Sequence, residues 1–179
     1  MTGNLNYIST IILFLTLFYG YGQDSKFNNW TEKEKEQYKI LNELAHYVSG
    51  RDSTEISKEV LFDKYIEFEY ILNDTLHTRK EDRIQKFDGF FYYFRKTIDS
   101  LGIENLDAGP IRFYKNHGIY ESFENQLLDL EPNVFAYYEK DDPTQPKGVL
   151  LFDDESNKLL TWILLSQGGY RFFLLFNLM

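Results

Sequence analysis

The residue types that usually carry chemistry are sparse in this chain, and their spacing is unhelpful to most reactions. Of three histidines, His46 lies off the apolar stripe of a predicted helix and reads as solvated. His77 stands at the junction of two predicted helices, where an imidazole can satisfy terminal carbonyls. His117 belongs to the turn "KNHG"; turn tips do host function, but a lone turn histidine needs no more than its turn to explain it. No H-E-x-x-H, P-loop, dinucleotide-binding glycine pattern or G-x-S-x-G elbow is present. Gly168 and Gly169 precede an apolar strand and not a helix, so they predict a hairpin turn and not a phosphate cradle. The acidic runs Asp141-Asp142 and Asp153-Asp154-Glu155 lack the D-x-[DN]-x-[DN]-G spacing of a calcium loop. The chain has no cysteine, which removes thiolate nucleophiles, disulfides and thiolate zinc sites. The expectation is therefore no metal, no cofactor and no identifiable catalytic residue.

Five residues are the candidates for ligand binding: Arg171, Tyr92, Tyr93, Trp162 and Asp88. Arg171, inside "GGYRFFLLF", shares a strand face with Phe173 and Leu175. If that face is internal, the guanidinium needs a carboxylate, a carbonyl or an anionic ligand; otherwise it snorkels to solvent from a strand end. Tyr92 and Tyr93, in "FFYYF", stand beside the core stripe of a helix and either edge a pocket or seal the helix against a sheet. Trp162 lies in the apolar run "KLLTWILLS". An enzymatic alternative, a small hydrolase or isomerase, would draw its acid or base from Asp63, Glu67 or Asp88, with a pKa raised by burial. Arg171 or Tyr92 would stabilise charge in that case.

The elements that must position these residues change period along the chain. Thr31 with Glu34 forms a capping box and Gly50 stands where a helix stops, while Ile40, Leu41, Leu44, Tyr47 and Val48 fall on one stripe. Residues 54–73 are ambiguous: Leu61, Tyr65, Phe68 and Leu72 fit a helix, which length favours, whereas Ile66, Phe68 and Tyr70 alternate as a strand would. Thr78 with Glu81 opens the strongest helix, through Ile84, Phe87, Phe91, Phe94, Ile98 and Leu101, before a Schellman close at Gly102. From there the period becomes two. "NLDAGP" reads as a loop, "IRFYK" and "IYESF" as a hairpin, and "ENQLLDLEP" as a turn or two of helix ended by Pro132. "VFAYYEK", "GVLLFD", "KLLTWILLS" and "YRFFLLFNL" predict a four-strand antiparallel meander. Leu159 to Leu165 and Phe172 to Phe176 are apolar on both sides of the pleat, so both strands are expected to be covered on both faces.

The expectation is an α+β fold with N-terminal helices packed on a curved, mostly antiparallel sheet. With 179 residues, 43% of them hydrophobic, the chain is sized for one ordinary core. A formal charge of −9 disfavours nucleic acid and anionic membrane surfaces, because both require clustered Lys and Arg. The stretch Ile8–Tyr19, followed by Gly20 and Gly22, has the form of a signal peptide cleaved after Gly22, although no Lys or Arg precedes it. It is too short to span a bilayer, which takes ~20 helical residues. Residues 1–22 are thus read as leader, 23–30 as a polar segment and 31–179 as one domain.

The order of helices, hairpin, short helix and antiparallel meander over Thr31 to Leu178 resembles the NTF2-like superfamily, whose curved sheet wraps a long helix into an open cone. That resemblance implies a pocket and is compatible with enzymes, binding modules and assembly domains alike. The G-Y-G-Q junction and the cysteine-free remainder also resemble exported proteins of the Bacteroidetes type. The reading is an exported, periplasmic or secreted, non-catalytic binding or interaction domain. Its expected partner is a small-molecule ligand, another protein or a second copy of the chain, with no stable membrane span after cleavage.

Overall fold

The computed structural model describes residues 26–68, 77–121, 129–168 and 170–175; the expected leader lies outside the described residues. Helix α1, Glu32–Val48, begins as its sequence dictates. The Thr31 side chain accepts from the Glu34 amide, and the Glu34 carboxylate accepts from the Thr31 amide at 2.7 Å, closing the capping box. Its fully buried residues are Glu34, Gln37, Leu41, Leu44 and Val48, a stripe at helical spacing whose first half is polar.

The ambiguous segment uses both of its periods in succession. Ser57 caps a short helix α2, Lys58–Lys64, accepting from the Val60 amide at 3.3 Å. The chain then leaves the helix: the Leu159 amide donates to the Tyr65 carbonyl (2.8 Å) and the Glu67 amide to the Leu159 carbonyl (3.0 Å), forming a lone parallel bridge at Ile66. The expected continuation to Asn73 runs into residues outside those described. Helix α3, His77–Leu101, starts two residues before Arg79, where a Thr78 cap would begin it, so Thr78 lies inside the helix and not at its cap. It ends at Gly102, whose φ of +80° suits glycine and whose amide donates to the Ile98 carbonyl at 2.9 Å. That is the single bond of an αL cap, where a Schellman pair was expected.

The next stretch departs most from expectation. "NLDAGP" is not a loop but strand β1, Leu106–Pro110. "IRFYK" is a 3-10 turn, Ile111–Tyr114, and "IYESF" begins as a one-turn helix α4, Gly118–Glu121, so no hairpin forms there. Of "ENQLLDLEP", residues 124–128 fall outside those described, and Glu131–Asn133 is a 3-10 turn containing Pro132. Strands β2, Val134–Glu139, and β3, Gly148–Phe152, stand where the sequence places them. "KLLTWILLS" breaks into β4, Leu159–Thr161, and β5, Leu164–Gln167, and the chain returns as β6, Tyr170–Phe173. The break centres on Thr161, whose hydroxyl donates to the Leu174 carbonyl (2.7 Å) and accepts from the Ile163 amide (3.1 Å), taking a ladder position for itself.

The fold is α+β, with a four-stranded antiparallel meander ordered β1-β2-β3-β4. Its fourth member is β1, at the edge beside β2; β5 and β6 form a separate two-stranded ribbon. Alternation sorts the sheet into two faces. Phe135, Leu150, Phe152 and Leu159 join the helices in one core, with Leu44, Val48, Phe62, Phe68, Phe87, Phe91 and Ile98. Val134, Ala136, Val149 and Leu151 join Ile111, Ile119 and Tyr120 in a second, against which Leu164, Phe173 and Leu175 of the ribbon pack. Each fully buried aliphatic or aromatic side chain favours folding by ~1.5–3 kcal/mol gross, so both layers stabilise the sheet. Strand β4 is therefore covered on both faces, the ribbon being its outer cover. The ribbon itself is not: the cross-strand pair Leu165 and Phe172 is 38% and 37% exposed, against the expectation of full cover.

Candidate functional site

A cleft of about 180 Å³ opens between α1, the C-terminal half of α3 and the helix-side face of the sheet. Helix α1 presents Tyr38, Leu41 and Ala45 to it, successive members of one stripe, and α3 presents Tyr93, Phe94 and Ile98. Leu150 of β3 and Tyr137 of β2 form the floor, and Trp162, between β4 and β5, packs against Phe94 with the rings tilted by 39° and their centroids 4.7 Å apart. Behind these rings runs an aromatic series, Phe62 on Phe68 at 4.5 Å and Phe87 on Phe91 at 5.2 Å, which holds α2, α3 and Trp162 in register.

The cleft turns polar at Asp107 of β1. Its Oδ1 accepts from the Tyr38 hydroxyl (3.0 Å), the Ala108 amide (2.8 Å) and the Lys26 ammonium (2.5 Å). Lys26, on the turn before α1, lies 4.0 Å from the centroid of Tyr38, 5.5 Å from Trp30 and 5.7 Å from Phe27. Burial drives the lysine pKa down, and the bond to Asp107 opposes this without fully offsetting it. Burial and the Asp107 charge together push the Tyr38 and Tyr138 hydroxyls well above the ordinary phenol range, and burial alone raises Tyr137. Tyr114 is pushed up to about 12 by burial, with the Asp107 charge adding to it. These phenols stay protonated at neutral pH; Tyr38 donates to Asp107 and Tyr114 to the Pro143 carbonyl at 2.9 Å.

The residues nominated by sequence divide. Trp162 and Tyr93 line the cleft. Tyr92 is exposed on α3, edge-to-face with Tyr93 at 5.4 Å, and does not line it. Asp88 is exposed and pairs with Lys58 of α2 at 2.6 Å. Arg171 lies half-buried on β6 opposite Ser166, away from the cleft walls. Of the other acid or base candidates, Asp63 is exposed, and Glu67 accepts from the Ser156 hydroxyl at 3.0 Å with Lys158 at 3.8 Å; neither lines the cleft. His46 is exposed, and His117 accepts from the Ile119 amide through Nδ1 at 3.0 Å, a turn role. The Asp153 carboxylate accepts from the Glu155 and Ser156 amides, closing its own turn.

Sequence reasoning missed Lys26, Tyr38, Tyr137 and Asp107. Tyr38 was recoverable, because it stands three residues before Leu41 and seven before Ala45, on one helical face. Asp107 was hidden by reading its segment as a loop. A second polar cluster lies at the start of α1: Arg112 makes a two-pronged contact with the buried Glu34 (2.7 and 2.9 Å), and Gln37 donates to Asn133 at 3.0 Å. Among the described residues no group of three or more His, Cys, Asp or Glu is placed to hold a metal ion. None of their helices is long and apolar enough to cross a membrane. No protein-family model, curated protein or solved structure matches the chain.

Proposed function

We propose that this chain is an exported, non-catalytic binding domain whose cleft takes a small ligand with an apolar body. The observation that carries the reading is the cleft lining: aliphatic and aromatic side chains from two helices and the sheet converge, with a small polar cluster at one end. That is the composition of small-molecule sites generally. Catalysis is disfavoured because the carboxylate at hand, Asp107, is already bound by Lys26, Tyr38 and a backbone amide, and so is not poised to move a proton. The NTF2-like resemblance belongs to the same proposal, since helices in front of an antiparallel meander are the arrangement that encloses the cleft.

Trp162 reports on occupancy. Titration with benzyl alcohol should change its fluorescence, and Ala45→Phe, which fills space at a half-buried helix position, should abolish the response while leaving the circular dichroism unchanged. Failure of any apolar probe to bind at millimolar concentration would remove this reading. The export half of the proposal rests on the leader pattern, and N-terminal sequencing of protein recovered outside the cytoplasm should begin at Gln23.

A further inference from the structure

The turn Lys26–Asn29 places an ammonium in a box that has the chemistry of an organic-cation site. Phe27, Trp30 and Tyr38 meet edge to face, with centroids 5.1, 5.5 and 5.4 Å apart. All three rings lie within 5.7 Å of Lys26 Nζ, and the Asp107 carboxylate closes the box. A cation within ~6 Å of several ring centroids is held by their quadrupoles, and proteins recognise quaternary ammonium ligands in this way. Two members of the box, Tyr38 and Asp107, also line the cleft, so the two spaces share a wall, and a head group reaching the box from the cleft passes between these two side chains.

We propose that the box of Phe27, Trp30, Tyr38 and Asp107 is a cation site filled by the chain's own Lys26, and that the cleft ligand is a small alkylated ammonium whose head displaces Lys26. This inference rests on the reading of the cleft as a ligand site and names the ligand's class. Charge decides the sign: an anion placed here would meet the Asp107 carboxylate and the negative ring faces. Size sets the body. An apolar cavity of ~150 Å³ takes a benzene ring, so about 180 Å³ accommodates one ring or a short alkyl chain. Exchange is favoured by the difference between the two cations. A primary ammonium is strongly hydrated and costly to bury, and burial already weakens the hold of Lys26 on its proton. An alkylated head sheds little water on entry. Lys26 also sits on a turn with its side chain 28% exposed, so it can swing out without unwinding α1.

The test is a charge series built on one ring: benzyltrimethylammonium, benzyl alcohol and phenylacetate, titrated by calorimetry into the full-length protein and into Lys26→Met. Wild type should bind the cation more tightly than the alcohol, and phenylacetate most weakly. Lys26→Met should raise cation affinity by about tenfold while leaving alcohol affinity within about twofold. Asp107→Asn should erase the preference for the cation. If the alcohol binds as well as the cation, or Lys26→Met leaves cation affinity unchanged, the cation site falls and the cleft reading stands. If no probe binds, both fall. Should Lys26→Met fail to fold, the wild-type series alone decides whether charge is read.

Discussion

Glu34 shows how a polar side chain comes to occupy a core position. It is 3% exposed, and Arg112, the Thr31 amide and the Thr31 hydroxyl surround it. Burial pushes its carboxyl pKa up, but the Arg112 and Thr31 hydrogen bonds and the guanidinium charge outweigh this, and the net shift is below the ordinary value of 4.5. A depressed folded-state pKa stabilises the protein above the unfolded value, and the contribution is lost as pH falls through the folded one. Arg112→Met would strand the carboxylate in the core. Removing one partner of a buried pair costs ~3–5 kcal/mol; because the Arg112 side chain is 29% exposed, the expected loss is about 2–3 kcal/mol. Urea denaturation at neutral pH should show it. The gap between variant and wild type should narrow as pH falls, first above 4.5 as the variant's carboxyl, left with burial as its largest influence, takes up its proton, then below 4.5 as the wild type loses its ion pair; a gap that widens in acid would contradict the assigned partnership.

At the scale of elements, what was legible depended on whether local chemistry was free to act. Helix α1 was legible from its capping box, and α3 from its repeat of aromatic residues and its terminal glycine. Strand β1 was not, because "NLDAGP" carries the two residues that most often break strands. Its position explains the tolerance: β1 is an edge strand, where Pro110 removes no essential ladder donor. Gly109 is no steric necessity either, since a Cβ there would meet the Trp30 ring at 3.6 Å, an ordinary contact distance. Asp107, the polar anchor of the cleft, was lost with that strand, whereas Trp162 and Tyr93 were recoverable as aromatics beside core stripes. The β2–β3 pairing contains a tighter approach. Gly148 faces Tyr137, and a Cβ there would stand 2.5 Å from the tyrosine ring. Gly148→Ala must therefore push the Tyr137 ring, which lines the cleft. The expected result is a loss of about 1–3 kcal/mol from overpacking, together with altered benzyl alcohol affinity. Unchanged binding would mean that the ring relaxes away from the cleft.

For the whole molecule, the apolar runs near the C-terminus indicated burial but not how the layers share it. Leu159 to Leu165 reads as one strand because hydrophobicity is continuous; the interruption comes from the Thr161 hydroxyl, a tertiary contact with Leu174 that no local pattern announces. The consequence is an uneven distribution of stability. Strands β2 and β3 have a paired neighbour on each edge and packed side chains on each face. Strands β5 and β6 pair with each other, the Leu174 amide on the Ile163 carbonyl (3.0 Å) extending their ladder, and the ribbon is tied back to β4 through the Thr161–Leu174 bond, with Leu165 and Phe172 facing outward. Segments with few buried contacts and solvent-facing ladders open below the global unfolding free energy. Native-state hydrogen exchange should find the slowest amides in β2 and β3, with β5 and β6 exchanging at least about tenfold faster, a difference of ~1.4 kcal/mol. Thr161→Val should widen the difference by removing the tie while keeping the side-chain shape. Equal protection in both layers would instead make the ribbon part of the global cooperative unit, and Trp162, which leads into it, would then be fixed by the whole fold and not by the rings of α3.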